Sequence, residues 1–145
     1  MAAFNKFQQF VQDMASGVHQ LQTGTSHVLK VMLTNTAPVA TNTVKANITE
    51  ISAGNGYTAG GATVGTITGA QASGIMKVTG GTDPVFTASG GSIGPFRYAV
   101  LYNDTPTSPA DPLIGWWDYG SSISLASGDS LTVDLDQTNG LFTVT

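Results

Sequence analysis

From residue 27 onward apolar side chains recur in short runs with a period near two, broken at close intervals by Gly, Pro, Asn and Ser, a pattern of short strands and turns. His27 to Thr34 sets Leu29, Val31 and Leu33 on one face and Lys30 and Thr34 on the other, which predicts a strand. Asn35-Thr36-Ala37-Pro38 ends it, because proline cannot donate to a ladder. Ala46 to Ser52 predicts a short second strand around Ile48 and Ile51, and Gly74 to Thr79 and Pro84 to Ala88 predict two weaker ones. Phe96 to Tyr102 is nearly continuous in aromatic and β-branched character, as in a central strand covered on both faces. Leu113 to Tyr119 follows as a further strand. Beyond the Ser127-Gly128-Asp129 turn, Leu131, Val133 and Leu135 alternate with Ser130, Thr132, Asp134 and Asp136, and Asn139-Gly140 reads as a hairpin turn into Leu141 to Val144. The C-terminal part therefore reads as a meander.

Three stretches resist a strand reading. Residues 52 to 74 hold seven glycines and one aromatic, Tyr57, which predicts a long surface loop. Asn103 to Pro112, with three prolines and two aspartates, predicts an extended, exposed connection. In the N-terminal segment Phe4, Phe7, Val11, Met14, Val18 and Leu21 follow spacings of three and four, an apolar stripe on a helix. Ser16-Gly17 interrupts that stripe, and Val18 to Leu21 could equally pair with the strand from His27, so helix and strand both stay open here. Short strands without a repeat, and without the helix after each strand that a parallel sheet needs, predict an all-β, single-domain antiparallel β-sandwich, jelly-roll-like. An N-terminal arm or short helix occupies residues 1–26 and the sandwich residues 27–145.

Composition narrows the function. A chain of 145 residues can bury a core without disulfides or metal, and the absence of cysteine excludes thiol redox chemistry and thiolate metal sites. Charged residues make up 10% of the chain, against about 25% in an average soluble domain. With a net charge of -4, repulsion offers little protection against association, which suits a protein that lives in an assembly. The five basic residues, at positions 6, 30, 45, 77 and 97, never cluster, so a nucleic-acid partner is not expected. No apolar run reaches the roughly 18 to 20 residues of a membrane span, and Met1 to Phe10 lacks signal-peptide character, so no membrane partner is expected and synthesis is placed in the cytoplasm.

Few residues offer chemistry. His19 and His27 have no third partner for a zinc site and read as structural or solvent-facing. The Asn55 to Gly61 run lacks the Gly-Lys-Ser/Thr ending of a phosphate cradle, and Asp118, Asp129, Asp134 and Asp136 lack calcium-loop spacing. No acid pair or nucleophile motif stands out, so neither a cofactor nor enzymatic activity is expected. Trp116 and Trp117, adjacent on a strand, must face opposite ways: one enters the core and the other reaches a second layer, a partner or a ligand.

The segments Lys30 to Ala40, Ile48 to Tyr57, Gly94 to Asp104 and Leu113 to Ser122 together resemble, in order and spacing, a family of short virion structural proteins of tailed bacteriophages. In size and expected fold the chain also resembles the decoration, or cement, proteins that sit as trimers on icosahedral capsids. The resemblance implies a virion location after synthesis in the host, the major capsid protein as partner, and a homo-oligomer, a trimer in the capsid-bound case. On that reading Phe4, Phe7 and Phe10 in the arm, Tyr57 in its loop, and Trp116 or Trp117 supply the capsid or subunit contacts, and loss of residues 2 to 12 leaves the sandwich folded. A different reading makes the sandwich a receptor- or glycan-binding module of a tail or fibre, with an exposed Trp as stacking platform.

Overall fold

The computed structural model describes residues 2–145. The run at Phe96 to Tyr102 lies in β7 (Ile93–Asn103), which pairs antiparallel with β8 (Leu113–Leu125) on one side and β2 (Leu29–Thr34) on the other. Two short edge strands, β1 (Phe4–Lys6) against β8 and β3 (Ala62–Thr63) against β2, complete a five-stranded sheet in the order β1-β8-β7-β2-β3. The central position predicted for this run is therefore the observed one. A register shift between Leu101 and Tyr102 gives the β8 side an extra residue, Ile114, and both Leu113 and Ile114 are buried.

Opposite this sheet lie two small antiparallel sheets. One contains β4 (Ile67–Ala72), β5 (Ile75–Gly80) and β10 (Phe142–Val144) in the order β10-β5-β4, and the other pairs β6 (Val85–Thr87) with β9 (Ser130–Thr132). Leu29, Val31, Leu33, Ala99, Leu101 and Trp117 on one face of the large sheet share a core with Ile67, Val78, Phe86, Val133 and Leu135. The fold is all-β and sandwich-like, as the alternation predicts.

The other face of the large sheet is apolar as well. Met32, Val100, Tyr102 and Leu113 form a second buried cluster, closed by Phe7, with Ile48 and Trp116 packed against it. This explains why β2 lacks the burial alternation of a strand with one wet face. Met32 and Thr34 are as inaccessible as Leu29, Val31 and Leu33, because both faces of the strand are covered.

Several expectations fail, each for a local reason. Ala46 to Ser52 is not a strand: Lys45–Asn47 forms a 3-10 turn and the rest runs alongside β2, bonded through Ile51 N–H to the Leu33 carbonyl at 3.1 Å. Residues 52 to 74 are not a surface excursion, since they contain β3 and β4, and Tyr57 is buried. At Gly61 (φ +78°) a Cβ would collide with the backbone of Val31, so glycine is what lets this segment lie against β2. The connection from Asn103 to Pro112 is exposed over Thr105 and Thr107 to Ala110, as expected, but its two ends, Asn103 and Pro112, are buried. Nor is the C-terminal part a meander: β8, β9 and β10 pair into three different sheets, and the turn at Asn139-Gly140 delivers the chain to β5 instead of back to β9.

The N-terminal segment combines both open readings. Phe4–Lys6 is a strand and α1 (Gln9–Ala15) a short helix, whereas Val18 to Leu21 is irregular. Phe7, Phe10, Asp13, His19 and Leu21 are buried: Phe7 and Leu21 belong to the expected stripe, but within α1 it is Phe10 and Asp13 that turn inward, and Val11 faces outward.

Where β3 ends, Tyr57 takes over the edge of β2. Its hydroxyl accepts from the Leu33 N–H at 3.0 Å and donates to Glu50 Oε1 at 2.7 Å, and the same carboxylate oxygen accepts from Gly60 N–H at 2.6 Å. Burial, reinforced by Glu50, pushes the Tyr57 phenol far above its ordinary range, so it stays a donor. Tyr57→Phe strands the Leu33 N–H and should cost about 1–3 kcal/mol, read as a lower urea midpoint at unchanged m-value. An unchanged midpoint would remove this role from Tyr57.

Candidate functional site

Most residues expected to reach a partner are used within the chain. β1 pairs with β8 in the register Phe4↔Trp117, Asn5↔Trp116 and Lys6↔Gly115. Phe4 lies half-buried with its ring centroid 5.2 Å from that of Trp117 and 6.4 Å from that of Phe142. Phe7 is fully buried, 4.6 Å from the Trp116 ring, and Phe10 is buried with its ring edge-on to Phe142 at 5.0 Å. Trp116 and Trp117 do face opposite ways: Trp117 joins the main core and Trp116, half-buried, covers the second cluster. Phe7, Phe10, Tyr57 and Trp117 are thus core residues in this chain, not projecting contacts. The N-terminal segment is an integrated layer, so removing residues 2 to 12 would take Phe7 and Phe10 out of the core.

Between β1, α1 and β10 an apolar groove of about 550 Å³ remains open. Phe4, Met14 and Phe142 contribute to its lining, and Val11 and Val144 beside them are 54% and 44% exposed. β10 is an outer strand, and residues 141 to 145, Leu-Phe-Thr-Val-Thr, carry none of the charged or proline residues that usually protect an edge. Lys6 is the one charged side chain of the lining. Sequence reasoning passed over Val144 because it read the terminal strand as paired within a hairpin, and placed Val11 inside because the helix phase was misread.

A second cleft, of about 380 Å³, is polar and lies between Asn35, Glu50, Asn55 and Pro95. Its only carboxylate, Glu50, is already engaged by Tyr57 and Gly60, and no aromatic side chain lines it, so it offers neither an acid pair nor a stacking platform. Among the described residues no three His, Asp or Glu side chains gather at metal-ligand spacing.

The two histidines meet at Asn103, at the end of β7. The Asn103 amide nitrogen lies 3.2 Å from His19 Nδ1 and 2.9 Å from His27 Nδ1, and its oxygen accepts from Thr105 N–H at 3.2 Å. His19 and Asp13 are each 4% exposed, and Asp13 Oδ1 accepts from Gln9 Nε2 at 3.0 Å. Burial lowers the His19 imidazole to about 4; Asp13 opposes this shift and His27 adds to it. Nothing in a lone-histidine pattern foretold this meeting, because Asn103 is 84 residues from His19.

No protein family, curated protein or solved structure matched the chain. Among the described residues no helix is long and apolar enough to cross a membrane.

The seat of β1 depends on Gly115. A Cβ there would run into the Phe4 ring and come within 2.6 Å of the Asn5 carbonyl oxygen. Gly115→Ala should cost about 1–3 kcal/mol by overpacking, loosening β1 and shifting the Trp117 emission as Phe4 moves off its ring. Wild-type emission together with wild-type stability would contradict this seating.

Proposed function

We propose that the chain is a structural subunit of a tailed-bacteriophage particle, a decoration protein that adheres to the assembled head through the groove between β1, α1 and β10. The observation that carries this reading is the coincidence, at one place, of open apolar surface with an unprotected outer strand. The charge-poor composition and the resemblance to short phage virion proteins support it.

The mechanism is mechanical. Major capsid protein surface covers Val11, Val144 and their neighbours, and each square ångström of apolar area removed from water contributes about 25 cal/mol before association costs. A trimer multiplies that contact, so weak individual sites hold firmly once several engage one shell. Adhesion of this kind asks no bond-making step of any side chain.

This reading moves the contact from Phe4, Phe7, Phe10 and Tyr57 to the exposed rim beside the first three. Val11→Asp combined with Val144→Asp should weaken binding to purified phage heads at least tenfold, since each aspartate must be desolvated on docking, while far-UV circular dichroism stays that of the wild type. Full binding by the folded double variant would sink the proposed contact.

A further inference from the structure

We infer that Asn103, His19 and His27 form an acid-released clamp that holds α1 and the connection from Ser16 to Val28 against the end of β7. The orientation of the Asn103 amide carries the inference. Its oxygen is taken by Thr105 N–H, so its two N–H groups face the imidazoles, one toward each Nδ1. Both Nδ1 atoms must then be acceptors, and both rings neutral with the proton on Nε2. A proton added to the His19 Nδ1 sets donor against donor and breaks that arm of the clamp.

The clamp works beside other ties on the same connection: Val28 N–H donates to Thr105 Oγ1 at 2.8 Å, the Val28 carbonyl accepts from Asp104 N–H at 2.9 Å, and Thr23 N–H donates to the Gly69 carbonyl at 2.9 Å. His19 follows α1, whose Asp13 carbonyl accepts from Val18 N–H at 2.9 Å, and the His19 ring packs against Phe10 at 5.2 Å. His27 precedes β2, and its Nδ1 also accepts from Gln20 N–H at 3.4 Å. Asn103 belongs to the central strand. The charged and titratable groups around His19 are Asp13 from α1 and His27 from the connection, and beyond His27 the Lys30–Asp104 pair closes at 2.8 Å.

Asp13 Oδ2 and His19 Nε2 are buried with no hydrogen-bond partner among the described residues, so the closed state already carries an uncompensated polar cost in this corner. Opening relieves that cost and hydrates both groups. With His19 lowered from 6.5 to about 4 when closed, the open state binds the extra proton first as pH falls. The closed state is fully favoured above the ordinary histidine value and loses ground as pH drops through that window.

Amide hydrogen exchange on the full chain tests this. Ser16 and Val18, whose N–H groups donate to the Gln12 and Asp13 carbonyls, report on α1, and Val100 reports on β7. After correction for intrinsic exchange, the opening constant at Ser16 and Val18 should rise roughly thirtyfold between about pH 7.5 and about pH 5, which stays above the ordinary carboxylate range, with Val100 unchanged. His19→Asn keeps an acceptor at the Nδ1 position but cannot titrate, and should abolish the rise. No rise in the wild type, the same rise in His19→Asn, or an equal rise at Val100 would overturn the clamp. If His19→Asn does not fold, titration of the His19 ring in the wild type by NMR decides: a value below the ordinary one supports the clamp, and one at or above it overturns it.

Discussion

A strand pair with apolar side chains on both faces needs two covers, and the architecture follows from that requirement. β7 and β8 bury residues on each side, so a single opposing layer cannot satisfy them. The small sheets and the C-terminal strands cover one face. The other is closed by Phe7 and Ile48, from segments that look dispensable when taken singly, with Trp116 of β8 packed beside them. Separating the N-terminal segment from the sandwich would expose this second face. For that reason β1 and α1 are part of the fold and their large aromatics are committed to it.

The legible and illegible parts of the sequence divide by range. Local alternation placed β5, β6, β7 and the start of β8 where they are found, and the two-faced run at Phe96 to Tyr102 announced the central strand. Pairing was harder to read. Asn139-Gly140 is a sound turn signal, yet a turn reports where the chain bends and not which strand it meets next. The Gly-rich stretch was misleading for a different reason: glycine serves flexible loops and close backbone approach alike, and only the contact of Gly61 with Val31 distinguishes the two. Tyr57, the single aromatic in that stretch, was the available sign that it packs inward.

The candidate contact surface was legible only in part. The sequence pointed to the N-terminal aromatics, and the groove lies beside them, but Phe7 and Phe10 are buried, Phe4 is half-buried in the groove wall, and the exposed positions Val11 and Val144 are aliphatic. The register of β1 on β8 and the placement of β10 beside α1 decide this, and both are long-range pairings without a local sequence mark. The buried histidine corner was hidden likewise, since its three members come together only when β7 and the N-terminal connection are already in place.

A surface with little charge and an unprotected edge is hazardous for a protein that diffuses alone and useful for one that ends its life in a shell. Electron cryomicroscopy of the intact phage particle tests the proposed adhesive role most directly. Density for this chain should lie on the outside of the head, with the α1 and β10 face turned toward the capsid lattice. Density confined to the tail, its absence from the particle, or a head-bound subunit with that face open to solvent would contradict the proposed mode of attachment.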